Sequence, residues 1–406
     1  MAFNKGHAGA SSIFVAPELD LDDLRVLAEI AEYRKRLADV LRVPRRWNGG
    51  LRRTLAARAI QGSNTIEGFT VTDDDAVAAV DDEPPLTADE ATWAEILGYR
   101  RVLTYILNLA TEPGFTVDET AIRSMHFMLL EHDLHSSPGR YRTSGIYVRD
   151  DAKDRNVYEG PDPDLVPGLM REFTRNLATQ RDQDPLVMGA MAHLNLVMIH
   201  PFRDGNGRMA RVLQTAVLAR DRVLEPTFSS IEEWLGANTH DYYAVLGATG
   251  HGTWNPKGNT SNWVKFNLRA HHMQAQTVQR RFQEASDQWN SIDELLARNR
   301  LGDRLGNLLF DALLGHRITR PSYLKLIPGL DERTATRDLA AAHESGLLEA
   351  HGERRGRYYV AGEPLKSVHQ QIRQARDPLV DPYPTLMAEV HRTLSAPPMG
   401  PLRTTE

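Results

Sequence analysis

The stretch His200-Pro201-Phe202-Arg203-Asp204-Gly205-Asn206-Gly207-Arg208-Met209-Ala210-Arg211 constrains this chain more than any other. It gathers an imidazole, a carboxylate, glycines, an amide and guanidinium groups into twelve positions, a density of chemistry foreign to an ordinary core segment. Upstream, Asp184-Pro185 followed by Leu186, Ala190, Met191, Leu194, Val197 and Met198 predicts an N-capped amphipathic helix with Pro in its first turn, ended by Pro201. Downstream, Met209, Val212, Leu213, Ala216 and Val217 recur at helical spacing. Gly205 to Gly207 therefore form a short loop that opens a second helix.

Such a loop suits an anion. Glycine lets backbone N–H groups turn toward phosphate oxygens, and the helix N-terminus adds positive potential. Arg208 and Arg211, three apart, share a helix face on which two guanidiniums could grip a polyphosphate bidentately. Asp204 is placed to hold the Mg²⁺ that accompanies a nucleotide, which needs only one or two carboxylates. His200, ending the first helix, is placed to accept a proton from an attacking hydroxyl.

The stretch resembles the signature of the Fic family, H-x-F-x-[DE]-G-N-G-R-x-x-R, with each defining position filled. A second motif, Ser63-Asn64-Thr65-Ile66-Glu67-Gly68, resembles the family's inhibitory motif [ST]-x-x-x-E-[GN]. The resemblance covers roughly residues 60 to 270 and implies transfer of AMP from ATP to a Ser, Thr or Tyr hydroxyl of a target protein, the protein itself being one candidate target. It implies that His200 is the general base and Asp204 the metal ligand, and that Gly205, Asn206 and Gly207 orient the α-phosphate. Arg208 and Arg211 would bind the remaining phosphates, Phe202 would anchor the loop in the core, and Glu67, flanked by Ser63 and Gly68, would inhibit by pairing with Arg211. Transfer of another phosphate-containing group is a related alternative.

The rest of the chain sets the frame. With 406 residues, 41% hydrophobic and 25% charged, it has material for two or three cores. The absence of Cys removes disulfides, thiol nucleophiles and Cys-ligated zinc, and fits a cytoplasmic protein. No apolar run approaches the roughly 20 residues of a membrane span, and Met1 to Val15 is too weakly apolar for a secretory signal.

The expected fold is mainly α: a Fic-type helical core with a short β-hairpin flap and a C-terminal winged helix-turn-helix. Expected divisions are 1–85, helical with the inhibitory motif; 86–270, the catalytic core; 271–300, a connecting helix; 301–362, the winged helix; and 363–406, a tail. Residues 1–16 read as a mobile arm, the acidic run from Asp73 to Glu83 as a solvated face around a short helix, and Ile231 to Leu246 as one helical segment. His126 and His132 read as packing or surface residues. Ile146-Tyr147-Val148 and Val157-Tyr158 read as the flap, whose strand edge would dock an extended target peptide. In the winged helix, Arg333, Arg337, Arg354, Arg355 and Arg357 would face DNA, but nine basic against eight acidic residues over 301–361 leave only +1. That balance favours a protein-contact or weak nucleic-acid module. The competing reading is a winged-helix DNA-binding regulator whose core senses a nucleotide. ATP and a target protein are the expected partners, a homodimer is left open, and no membrane is expected.

Overall fold

A computed structural model of the protein describes residues 11–395 apart from 110, 111, 113, 151–154, 181, 221–224, 354 and 355. Helices dominate: α1 Leu21–Leu41, α2 Asn48–Ile66, α3 Asp73–Val80, α4 Glu90–Leu109 and α5 Glu119–Leu130 precede an antiparallel pair, β1 Tyr147–Asp150 and β2 Arg155–Glu159. Then come α6 Val166–Thr179, α7 Pro185–Ile199, α8 Asn206–Ala219, α9 Pro226–Ser229, α10 Glu232–Ala237, α11 Thr239–Gly250 and α12 Ser261–Arg298. The C-terminal part holds α13 Gly306–Leu313, α14 Arg320–Leu326, α15 Glu332–Glu344, the pair β3 Leu348–His351 and β4 Tyr358–Ala361, α16 Glu363–Gln374 and α17 Leu386–Ser395.

The helix pair that frames the signature forms for the reasons its sequence gives. Asp184 caps α7, its carboxylate accepting from Leu186 N–H at 2.8 Å with Pro185 in the first turn. Nearly every α7 and α8 side chain is buried, so the two helices lie at the centre of the molecule. One core gathers α4, α5, α6 and the inner faces of α7 and α8, with Phe202 at 0% exposure. A second joins the other side of α7 to α1, α11, the start of α12 and α17. A third unites the far half of α12 with α13 to α16.

Four expectations are corrected. The segment after residue 10 is no arm: Ile13 and Phe14 are buried, and Phe14 exchanges backbone hydrogen bonds of 2.9 and 3.0 Å with the Asn195 amide. Helix α12 is more than a connector, since its buried face runs from Trp263 to Leu296 through two cores. Ile231 to Leu246 is broken at Asn238, whose φ of −124° separates α10 from α11. The acidic run is not simply solvated, because Asp75 is buried and accepts from Leu86 and Thr87 N–H, while Asp74 pairs with Arg317 at 2.6 Å.

The tail also packs back. Tyr383, Leu386 and Val390 enter the second core, and Asp381 takes a bidentate grip from Arg269. Arg354 and Arg355, residues 1–10, the hairpin turn 151–154 and the Pro-rich end 396–406 lie outside the described residues. No helix among the described residues is long and apolar enough to cross a membrane.

Candidate active site

His200 is the C-cap of α7 and adopts a left-handed backbone, φ 51°, held by its N–H to Leu196 O at 2.9 Å. Arg142, buried at 6%, fixes this corner from outside: its Nε donates to His200 O at 2.8 Å and its Nη2 to Pro161 O at 2.6 Å. The imidazole Nδ1 lies 3.0 Å from Val197 O. A carbonyl only accepts, so Nδ1 carries the proton and Nε2 keeps its lone pair in the neutral ring. Burial, aided by the charge of Arg142, pulls the His200 pKa below the ordinary imidazole value, so the ring is neutral at pH 7.

The loop after His200 is closed by its own side chains. Asn206 Oδ1 accepts from Phe202 N–H and its Nδ2 donates to Phe202 O, both at 2.9 Å. The Asn206 amide thus shapes the loop, which departs from its expected part in orienting a phosphate; the backbone N–H groups at the start of α8 keep that capacity, since the first turn of a helix has no partners for them. Gly205, at φ 72°, makes the turn that aims them. Behind the loop, His126 stacks on Phe202 at 3.6 Å. Its Nδ1 accepts from Gly139 N–H at 2.8 Å and its Nε2 donates to Asp204 O at 2.9 Å. This neutral tautomer is fixed by two backbone groups, and burial takes its pKa down to about 4.

The arginines face different partners. Arg208, 2% exposed, pairs with Glu95, a residue on α4 that the sequence did not single out, and sits 3.5 Å from Asp204. Arg211, equally buried, donates Nε to Ser63 Oγ at 2.8 Å and Nη2 to Ser63 O at 3.0 Å and Glu67 Oε1 at 2.6 Å. Its Nη1 is buried without a hydrogen-bond partner among the described residues. Burial opposes charge on Glu67, but Arg211 and Arg208 outweigh it and hold the carboxyl below the usual range. Gly68, φ 90°, lets the chain leave α2 directly after Glu67.

Helix α2 is rigidly mounted. Gly62 and Gly236 let α2 and α10 touch backbone to backbone: a Cβ on Gly62 would stand 2.2 Å from Glu232 O. Tyr243 OH donates to Ile66 O at 3.0 Å. The other end of α2 is fixed by Arg53 pairing with Asp311 of α13.

In the hairpin, Tyr147 is 55% exposed while Val148 packs inward. Val157 is half-buried, and Ile146, also half-buried, precedes β1 and accepts from Gly160 N–H at 3.1 Å. Tyr158 is not a docking side chain: it is 8% exposed, opposite Val148 in register, and its OH donates to Met198 O at 2.6 Å. It anchors the flap to α7. Asp204 keeps its side chain 54% exposed at the mouth of the loop. Arg142, Glu95 and the two-sided role of His126 were missed because each depends on contacts between distant segments.

Residues 116–218 match the family model Fic/DOC. The matched segment holds α5 to α8 and the whole signature loop. It is 30% identical over 200 residues to the protein adenylyltransferase Fic of Nematostella vectensis, covering 48% of this chain and 44% of that protein. A probable protein adenylyltransferase of Aquifex aeolicus is 27% identical over 38% of this chain and 48% of its own. The chain thus spans about half the length of the curated relatives it matches. A Fic family protein of Desulfovibrio desulfuricans has a similar fold, with a TM-score of 0.53 at 23% identity over 86% of this chain and 98% of its own.

Proposed function

We propose that this Fic-domain protein transfers AMP from ATP to a hydroxyl side chain of a target protein and is held in a low-activity state by Glu67. The observation that carries the reading is the His200 tautomer beside an anion cradle: a ring nitrogen with its lone pair available, next to the start of α8 and two buried guanidiniums. The hydroxyl oxygen bonds to the α-phosphorus, the bond to the bridging oxygen breaks, pyrophosphate leaves, and the hydroxyl proton passes to His200 Nε2. Arg208, Arg211 and the N–H groups of 206 to 208 would hold the phosphates in line. Asp204 suits Mg²⁺ by being a single, mostly exposed carboxylate beside this cradle, a donor set that leaves positions for phosphate oxygens and water. Bound there, the ion would neutralise charge on the departing pyrophosphate.

The plug reading rests on the position of the Glu67 carboxylate. It engages Arg211 and stands where an anion at the start of α8 would stand, so a terminal phosphate and Glu67 compete for one place. The target approaches along the hairpin, whose exposed Tyr147 and outer strand edge are available for main-chain pairing. The test is incubation with ATP labelled at the α-phosphate and Mg²⁺, with and without a lysate. Label retained on protein supports AMP transfer; label at the γ-position retained instead would replace it with phosphoryl transfer.

A further inference from the structure

A helix leaves its last carbonyls without helical partners, and where they are buried they must find donors elsewhere. At the end of α7 four successive carbonyls are taken from the hairpin side. Met198 O accepts from Tyr158 OH at 2.6 Å, Ile199 O from Arg142 Nη2 at 3.4 Å, His200 O from Arg142 Nε at 2.8 Å, and Pro201 O from Arg142 N–H at 2.9 Å. Tyr158 lies in β2, and Arg142 leads into β1.

Arg142 also grips both roots of the hairpin. Its Nη1 donates to Ser144 O at 2.8 Å, shortly before β1, and its Nη2 to Pro161 O at 2.6 Å, just after β2. Between these roots Gly160 N–H donates to Ile146 O at 3.1 Å, and a Cβ on Gly160 would stand 3.2 Å from Arg142 Nη2 and 3.8 Å from His200 Cβ. Hairpin base, guanidinium and imidazole thus meet in one joint. All side-chain hydrogen bonds of Arg142 among the described residues go to backbone carbonyls, so this buried cation fixes where two segments lie. A planar fork can span carbonyls of both segments, whereas a Lys ammonium is a single point with three donors. The corner it holds is strained: His200 keeps a left-handed backbone, φ 51°, which a residue with a Cβ retains only where its surroundings impose it.

We propose that Arg142 is a positioning residue that couples the target-docking hairpin to the general base, so that a hydroxyl presented along β1 and β2 arrives within reach of His200 Nε2. The inference rests on the AMP-transfer reading. A misplacement of about 1 Å can lower a rate roughly 100-fold. Arg142 donates to no group of Arg208, Arg211 or the start of α8, so its loss should appear in turnover and leave ATP affinity alone.

The test uses the full chain in a Glu67→Gly background, with Arg142→Lys, which keeps the charge and loses the fork, and Arg142→Gln, which loses both. Label transfer from the α-phosphate of ATP to a fixed amount of lysate protein is followed against ATP concentration, and amide hydrogen exchange is measured on the same proteins. The maximal rate should fall at least about tenfold in Arg142→Gln and by less in Arg142→Lys, with half-saturating ATP within about twofold of the background. The amides of Gly160 and His200 should exchange faster together in both variants. Melting temperatures confirm folding, and Arg142→Lys, the milder change, decides the matter if Arg142→Gln does not fold. A maximal rate within about threefold of the background in folded variants, a change confined to half-saturating ATP, or faster exchange at Gly160 with His200 unchanged would each overturn the proposal. No labelling by Glu67→Gly itself would count against AMP transfer instead, and the exchange measurement would still decide whether Arg142 joins the hairpin to His200.

Discussion

One oxygen of Glu67 serves two contacts: Oε1 accepts from Arg211 Nη2 at 2.6 Å and stands 2.4 Å from where a Cβ on Gly207 would lie. The Glu67 carboxylate and the glycine of the signature are therefore a fitted pair. Gly207→Ala should push the carboxylate off Arg211, and the loss of that buried pair should cost about 1–3 kcal/mol. In a Glu67→Gly background the same alanine meets no carboxylate and should cost much less. Thermal unfolding of the four proteins measures the coupling, and equal costs in both backgrounds would contradict the geometry.

His200→Ala should leave folding and ATP binding near those of the parent while lowering transfer by roughly 10²- to 10⁴-fold. The pH profile carries the sign. The folded pKa lies below the ordinary 6.5, so the ring is in its base form at neutral pH and activity should fall on the acid side of 6.5. An acid limb centred above pH 7 would contradict the burial of His200.

Gly62→Ala places a methyl 2.2 Å from Glu232 O. Backbone cannot yield as a side-chain tip does, so α2 should shift from α10, at a cost of about 1–3 kcal/mol. Because Glu67 ends that helix, transfer should rise relative to the parent even as the melting temperature falls. A destabilised variant with unchanged transfer would uncouple the α10 contact from inhibition.

Four buried histidines set the acid stability. His126 is pulled down to about 4, and His193, His271 and His316 to about 3, burial being the first cause in each. Their unfolded forms titrate near 6.5, so their stabilising contribution is complete above that pH and is lost as pH falls toward the folded values. Asp311 works in the opposite sense, burial having pushed it up to about 6. At pH 5 the four histidines should take up about four protons on unfolding and Asp311 should release about one, leaving about three from these groups. The fall in melting temperature between pH 6.5 and 5 measures that uptake, and a flat profile would contradict it.

The signature was legible because its chemistry is local: the caps, the glycines and the flanking helical periodicities all sit within one stretch of chain. The pairing of Arg211 with Glu67 spans 144 residues and was legible only through resemblance to a family. Tyr158 was placed on the flap, but strand alternation alone left both faces open until the register with Val148 turned it inward. Ile13 and Phe14 are too few to form a period, and their burial rests on the distant amide of Asn195. His126 was read as packing, which it does against Phe202; its backbone bonds to Gly139 and Asp204 come from tertiary contacts that spacing does not encode.

The most direct test of the whole account is the intact mass of three purified proteins, parent, Glu67→Gly and Glu67→Gly with Arg211→Ala, after incubation with saturating ATP, Mg²⁺ and a lysate, combined with label transfer from the α-phosphate. The account predicts weak labelling by the parent, labelling increased by about tenfold or more in Glu67→Gly, and none in the double variant, with each modification adding one AMP unit. Equal labelling by parent and Glu67→Gly, with both folded, would contradict inhibition by Glu67. Undiminished labelling in the double variant would contradict the catalytic use of Arg211.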